Sequence, residues 1–312
     1  MSQEKIFHKI IGELCLELGI KVENKSCGWI LKLQKDNKVK HIIGTKFPLN
    51  PESSGAIASD KYATYEILRS FDIPIIEHTI LFNPKTRSSY VQPEGNEYIL
   101  SNEIYKHKKI VIKPNHGSEG VGVSLCKTLK EAENTALKLF ETNSSISICP
   151  YYDIKTEYRT FYLNGKVLLI YAKTKPFVIG DGFSKIKDLI KKLNLPDKLV
   201  VKENLSILDM EKIPQNGEKI EISWKHNLSG GATATLLKKG ELYSEIEKLA
   251  IKAGKAIDVK FATIDVIHTY DDKLLIMEVN SGVAVDIFAK TVENGYELSK
   301  GIYREALKEM FD

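Results

Sequence analysis

Two long apolar runs, FATIDVIHTY and KLLIMEVN, joined by a polar turn at Asp271 and Asp272, constrain the fold of this chain most, because each carries a carboxylate among residues that belong in a core. Runs of this kind, rich in Ile, Val and Leu and separated by a turn, predict the two strands of a hairpin. Such a hairpin can bring Asp265 on one strand beside Glu278 and Asn280 on the next. Residues two apart on a strand face the same side, so Glu278 and Asn280 can share one cation. Hard oxygen donors suit magnesium, which keeps some water and takes further ligands from phosphates. The competing reading makes Asp265 and Glu278 solvated carboxylates on an exposed strand face. The apolar residues on either side argue against it, since an unpaired carboxylate among them is costly.

Two further segments carry chemistry. In IVIKPNHGSEGVGV, Lys113 ends a strand, and Gly117, Gly120 and Gly122 follow in a short loop before another strand. Glycines let backbone N–H groups approach oxyanions, and Lys113 adds a fixed positive charge. An ordinary glycine-containing hairpin explains the segment equally well. No GK[ST] ends the loop and no helix follows it, which excludes a Walker A loop and a Rossmann turn. In EYRTFYLNGKV, Glu157 and Arg159 share a strand face, with Lys173 and Lys175 on the next strand. A guanidinium fork suits phosphate or carboxylate, but the segment taken alone is better explained by a surface cross-strand salt bridge.

Along the chain, Ile6, Ile10, Leu14 and Leu18 predict a helix over residues 4–18 capped by Gly19. Short strands are predicted near 21–24, 29–34 and 39–43, which makes residues 1–55 a small N-terminal α/β lobe. The stretch GTKFPLNPESSGAIAS reads as a crossing loop, and Asp60 opens a helix over KYATYEILRS. A central lobe over 56–147 alternates IPIIEHTIL, KIVIKP and VGVSLC with a helix at 130–141. A third lobe over 148–312 begins with ISICPYY as a strand flanking the EYRTFYL–NGK–VLLIYAKTK hairpin, and contains helices at 185–193, 241–257 and 297–310. The formal charge of +4 over 312 residues, with no isolated basic block, argues against nucleic acid. Cys15, Cys27, Cys126 and Cys149 form no CxxC or Cys/His cluster, which fits a reducing compartment and speaks against zinc or a disulfide scaffold. No stretch approaches the roughly 20 apolar residues of a membrane span. The expectation is a cytoplasmic protein. Trp29, Trp224, Tyr151 and Tyr152 read as packing residues, and Cys149 as a small buried apolar residue.

Asp60–Lys61 opening a helix, IVIKP with its glycine loop, EYR before NGK, and Asp265 with the Glu278–Val279–Asn280 triplet together resemble the ATP-grasp superfamily over about residues 47–290. FPLNPESSGAIASDKYAT, VIGDGFSKIKDLI and NLSGGATA resemble more closely the ATP-grasp modules of cyanophycin synthetase and bifunctional glutathione synthetases. The resemblance implies an α+β ATP-grasp fold, a small N-terminal α/β lobe and two lobes enclosing ATP. It implies that Lys61 and Lys113 hold nucleotide phosphates, under a loop from His116 to Gly122 that includes Gly117, Ser118 and Gly120. Cys149 to Tyr152, with Tyr151, would form the adenine hinge, and Asp153 would lie near the ribose. Arg159 would touch the transferring phosphoryl group. Asp265, Glu278 and Asn280 would hold two magnesium ions, with manganese able to replace them. Lys113, Arg159 and Asn280 would be the catalytic groups.

The resemblance implies a carboxylate-binding position for Lys225, His226 and Asn227, before SGGA, although an ordinary histidine explains His226 equally well. Ser281 and Gly282 open SGVAVD, a region that shapes the substrate site in relatives but lacks their proline and glycine here. The implied activity is a carboxylate–amine ligase that passes through an acyl phosphate, acting on small molecules such as amino acids or peptides. A kinase phosphorylating a small molecule and a nucleotide sensor without turnover stay open, as does a homodimer.

Overall fold

The computed structural model describes residues 6–117, 120–193 and 207–312. Helix α1 (Ile6–Glu17) buries Phe7, Ile10, Ile11, Leu14 and Cys15 along one stripe, and Gly19 leaves it in the left-handed region at φ +67°. Strands β1 (Lys21–Lys25), β2 (Ile30–Lys35) and β3 (Lys38–Ile43) follow as an antiparallel sheet in that order. Leu31, Leu33 and Ile42 are buried in one core with the apolar stripe of α1.

The stretch expected to be a loop contains helix α2 (Glu52–Ser59). Pro51 stands just before its first residue, where a missing N–H costs nothing, so the proline that reads as a breaker is a starter. The Asp60 side chain then accepts a hydrogen bond from the Ala63 N–H at 2.8 Å and caps α3 (Lys61–Ser70), as the sequence predicts.

A second sheet has the order β4-β7-β5-β6, built from β4 (Thr79–Phe82), β5 (Ile110–Pro114), β6 (Ser124–Cys126) and β7 (Ser145–Pro150). It packs against α4 (Gly95–His107) and α5 (Leu129–Phe140) through Leu81, Ile99, Leu100, Ile110, Ile112, Ala132 and Ile148. Strand β7, the ISICPYY segment, pairs with β4 and β5 and not with the EYRTFYL hairpin that it was expected to flank. Its residues Ser145 to Cys149 are all buried, so periodicity alone could not say which sheet claims them. Helix α4 escaped the sequence reading because it buries Ile99 and Leu100 while Tyr98 and Tyr105 stay exposed, a pattern too thin to mark a helix.

The third sheet is antiparallel, in the order β12-β9-β8-β13-β14. Strands β8 (Ile154–Leu163) and β9 (Lys166–Thr174) are joined by Asn164 and Gly165, both at positive φ, which is what a two-residue hairpin turn demands and what Asn-Gly supplies. Two short strands, β10 (Phe177–Ile179) and β11 (Lys219–Glu221), pair beside α6 (Ile186–Lys191) and α7 (Ile207–Met210). Strand β12 (Thr233–Leu236) lies at one edge. Helix α8 (Glu241–Ile257) covers one face of the sheet formed with β13 (Phe261–Thr269) and β14 (Leu274–Asn280). The chain closes with α9 (Asp286–Thr291) and α10 (Gly295–Phe311).

The other face of this sheet is divided along its strands. Phe161, Leu163, Tyr171 and Phe261 join a core shared by α1, β2, β3, α9 and α10, in which Phe47 stacks on Tyr303 at 5.5 Å between ring centres. The N-terminal elements therefore share their core with the end of the chain. Continuing along the same face, the side chains change to Glu157, Arg159, Lys173 and Asp265, which have no place in that core and line a cavity instead.

Candidate functional site

A cavity of about 810 Å³ lies between the β4-β7-β5-β6 sheet and the charged part of the third sheet. Its middle brings together Lys61 at the start of α3, Lys113 on β5, Arg159 on β8, Asp265 on β13, and Glu278 and Asn280 on β14. These come from four distant stretches of sequence. The β13–β14 register places Asp265 opposite Glu278 and Thr263 opposite Asn280, and the Asn280 amide donates to Glu278 Oε1 at 3.1 Å.

Asp265 is fully buried and accepts a two-pronged hydrogen bond from Arg159, Nε to Oδ1 at 2.7 Å and NH2 to Oδ2 at 2.6 Å. Lys173 Nζ lies 3.4 Å from the same Oδ2 and also donates to Glu157. Glu157, Lys173, Asp265 and Arg159 thus alternate in sign across three adjacent strands. Burial alone would raise the Asp265 carboxyl, but Arg159 and then Lys173 outweigh it and hold that group below the usual range. Burial pushes the Glu157 carboxyl up, and the neighbouring Asp265 charge adds to this against the pull of Lys173. Burial also lowers Lys61, which the Glu278 carboxylate partly offsets.

His226 is buried with Nδ1 4.0 Å from Glu157 Oε2, and burial, followed by the charges of Lys175 and Lys173, holds its imidazole at about 4. Unfolded, a histidine titrates near 6.5. Between these values the unfolded chain binds more protons, so His226 contributes stability at neutral pH that is lost as pH falls from about 6.5 through 4. Substituting glutamine, which stays neutral, is expected to remove up to about 3 kcal/mol of that acid-side loss. Denaturant unfolding of wild type and His226→Gln at pH 7 and pH 4.5 measures it, and parallel losses in the two proteins would contradict it.

One end of the cavity is apolar. Ile76, Val111, Cys149, Ile267 and Met277 line a slot closed by Tyr151, Tyr152 and Trp224. The Tyr151 and Trp224 rings meet edge to face at 6.1 Å, and the Tyr152 hydroxyl accepts from the Glu77 N–H at 3.2 Å. Cys149 is buried there, and burial raises its thiol, which removes it as a nucleophile. Gly117, Gly120 and Val121 of the glycine loop line the same cavity. Lys61 Nζ donates to the Gly117 carbonyl at 2.9 Å, and Gly120, at φ +69°, lies so close to Asn227 that a β-carbon would stand 1.8 Å from its Nδ2.

Several expected residues fall elsewhere. Asp153 is exposed and outside the cavity wall. His116 is exposed as well, with Nδ1 donating to the Ser59 carbonyl at 3.1 Å and Nε2 3.5 Å from Asp60, so it ties the loop to the helix junction. Gly122 packs behind the loop, where a β-carbon would meet Leu139 and Pro114 at 3.0–3.1 Å. Ser118 lies outside the described residues. Lys225, His226, Asn227, Ser281 and Gly282 do line the cavity, and the Ser281 hydroxyl donates to the Gly55 carbonyl at 3.3 Å. Thr45, Lys46, Tyr171 and Asp286 line it too, unforeseen. Only Asp286 had a signal, as the polar residue closing SGVAVD.

The donor set fits magnesium in its chemistry. Glu278 and Asn280 offer hard oxygens on one ladder, facing the cationic side chains of Lys61, Lys113 and Arg159 that a polyphosphate would need. Among the described residues no three His, Cys, Asp or Glu side chains converge as a self-sufficient metal cage, so a metal here would draw on ligands from a bound nucleotide.

The fold is that of ATP-grasp proteins. The RimK-like ATP-grasp domain family matches residues 198–302. In sequence the chain is similar to the bifunctional glutathione biosynthesis protein of Clostridium perfringens, 26% identical over 265 residues that make up 76% of this chain and 32% of that protein. It is likewise similar to the cyanophycin synthetase of Trichormus variabilis, 27% identical over 233 residues, 68% of this chain and 24% of that one. The chain thus spans between a quarter and a third of the length of these relatives. Among solved structures, a bifunctional glutathione synthetase from Pasteurella multocida superposes with a TM-score of 0.56 at 16% identity, covering 96% of this chain and 44% of that one. A D-alanine–D-alanine ligase from Bacillus anthracis gives 0.54 at 18% identity, covering 84% and 69%. Among the described residues no helix is long and apolar enough to cross a membrane.

Proposed function

We propose that this chain is a cytoplasmic ATP-dependent carboxylate–amine ligase that activates a carboxylate as an acyl phosphate and transfers the acyl group to an amine, releasing ADP and phosphate. The observation that carries the reading is the convergence of Lys61, Lys113, Arg159, Asp265, Glu278 and Asn280 on one cavity with an apolar slot at its end. The slot suits a purine ring. Lys61 and Lys113 hold the phosphates, and Lys61 gives up the Gly117 carbonyl to do so. Arg159, fixed by Asp265, presents its remaining N–H groups to the transferring phosphoryl group and the attacking carboxylate. Glu278 and Asn280 would hold magnesium, which would neutralise phosphate charge when bound, while Asp265, both of its oxygens engaged by Arg159, positions that guanidinium. Catalysis comes from positioning and electrostatics. Relatives named for glutathione and cyanophycin synthesis favour amino acids or peptides as substrates.

The test is phosphate release from ATP and magnesium over a panel of amino acids and small carboxylic acids, repeated with hydroxylamine. Hydroxamate from an active carboxylate is the expected result. A phosphorylated hydroxyl product without hydroxamate would replace the ligase with a kinase, and nucleotide binding without phosphate release from any pair would replace it with a sensor.

A further inference from the structure

The cavity has a third part, which the nucleotide leaves unused. Beyond Glu278 and Asn280 its wall passes to Thr45, Lys46, Ser281, Gly282, Asp286 and Ile287. Two distant segments are tied together there, since the Val283 N–H donates to the Thr45 carbonyl at 3.1 Å. Asp286 is half-buried, and among the described residues its only hydrogen bond is a long one, 3.4 Å, from the Phe7 backbone N–H. Lys46 lines the same end but pairs with no carboxylate among the described residues. The other carboxylates of the wall are matched: Asp265 by Arg159 and Lys173, Glu157 by Lys173, and Glu278 by the Asn280 amide and the charge of Lys61. A half-buried carboxylate held by one long hydrogen bond, and ion-paired with no cation among the described residues, has lost hydration that the protein replaces only in part. A cationic group on a ligand would replace it.

We propose that Asp286 is a specificity-determining residue that receives the protonated amine of the substrate whose carboxylate is activated. This rests on the ligase reading, and it narrows the substrate to an amino acid or peptide with a free ammonium group, excluding simple carboxylic acids. With the carboxylate at the Arg159 and Glu278 end, the ammonium reaches toward Asp286, away from the triphosphate cations that would repel it.

The test is calorimetric titration of the full chain with the common L-amino acids and their N-acetyl derivatives, with and without a non-hydrolysable ATP analogue and magnesium. At least one amino acid is expected to bind ten or more times tighter than its N-acetyl form, and Asp286→Asn to cut that ratio below about three. Asparagine keeps an oxygen for the Phe7 N–H, so the fold contact survives, and Asp286→Glu should retain part of the preference. An unchanged ratio in Asp286→Asn, or no amino acid preferred in its free form, overturns the proposal. Failure to bind the ATP analogue counts against the ligase reading alone, because the ammonium preference is scored without nucleotide as well.

Discussion

Glu278→Ala is expected to lower magnesium-dependent phosphate release by at least about a hundredfold, the usual scale for removing one group that stabilises transition-state charge. Glu278 faces Asp265 across the hairpin, holds the Asn280 amide and lies close enough to Lys61 to offset part of its desolvation. In the proposed site its loss would therefore remove a magnesium oxygen, free the Asn280 amide and leave Lys61 a weaker cation. The side chain is half-buried at the cavity wall and packs in no core, so the melting temperature should hold within about 2 °C. Glu278→Gln separates charge from shape. It can still accept the Asn280 hydrogen bond, yet it should need much more magnesium for half-maximal rate, since it takes the one negative charge from the Glu278–Asn280 pair. Wild-type phosphate release from Glu278→Ala, or an unchanged magnesium requirement in Glu278→Gln, would remove the β14 residues from the site.

What could be read in advance follows the range of the interactions. The β8–β9 and β13–β14 hairpins are local, and strand alternation sets their faces, so the pairings of Glu157 with Lys173 and of Asp265 with Glu278 are implicit in residue spacing once the turns at Asn164–Gly165 and Asp271–Asp272 are seen. Asp60 could be read as a cap for the same reason. Strand β7 could not be assigned to its sheet, because an all-buried strand carries no facing signal. Asp286 and Lys46 enter the wall only because α9 and the 45–46 segment meet across more than 200 residues of chain, and of the two only Asp286, at the end of SGVAVD, stands in a segment the sequence singles out. His116, Asp153 and Gly122 failed in the opposite way. Their neighbours in sequence line the cavity, but His116 and Asp153 point to solvent and Gly122 packs against Pro114 and Leu139.

Lys173→Met should be the most destabilising single change within the charged network of the third sheet. Lys173 is buried between Glu157 and Asp265, and methionine fills its space without its charge. Asp265 keeps Arg159, but Glu157 is left buried, with His226 4.0 Å away and held neutral by its surroundings. Removing one partner of a buried pair costs about 3–5 kcal/mol, because the remaining charge stays desolvated. For a chain of this length that corresponds to a fall of about 5–8 °C in melting temperature. A change to Glu157→Gln in the same protein removes the stranded charge, so Lys173→Met with Glu157→Gln should recover at least half of the loss. Lys173 alone would then be worth far less than the single variant suggests, which only the double-mutant cycle can reveal. If the second change adds to the loss, the energy resides in the packing of the lysine stem, and the alternating charges across β8, β9 and β13 do not act as one network.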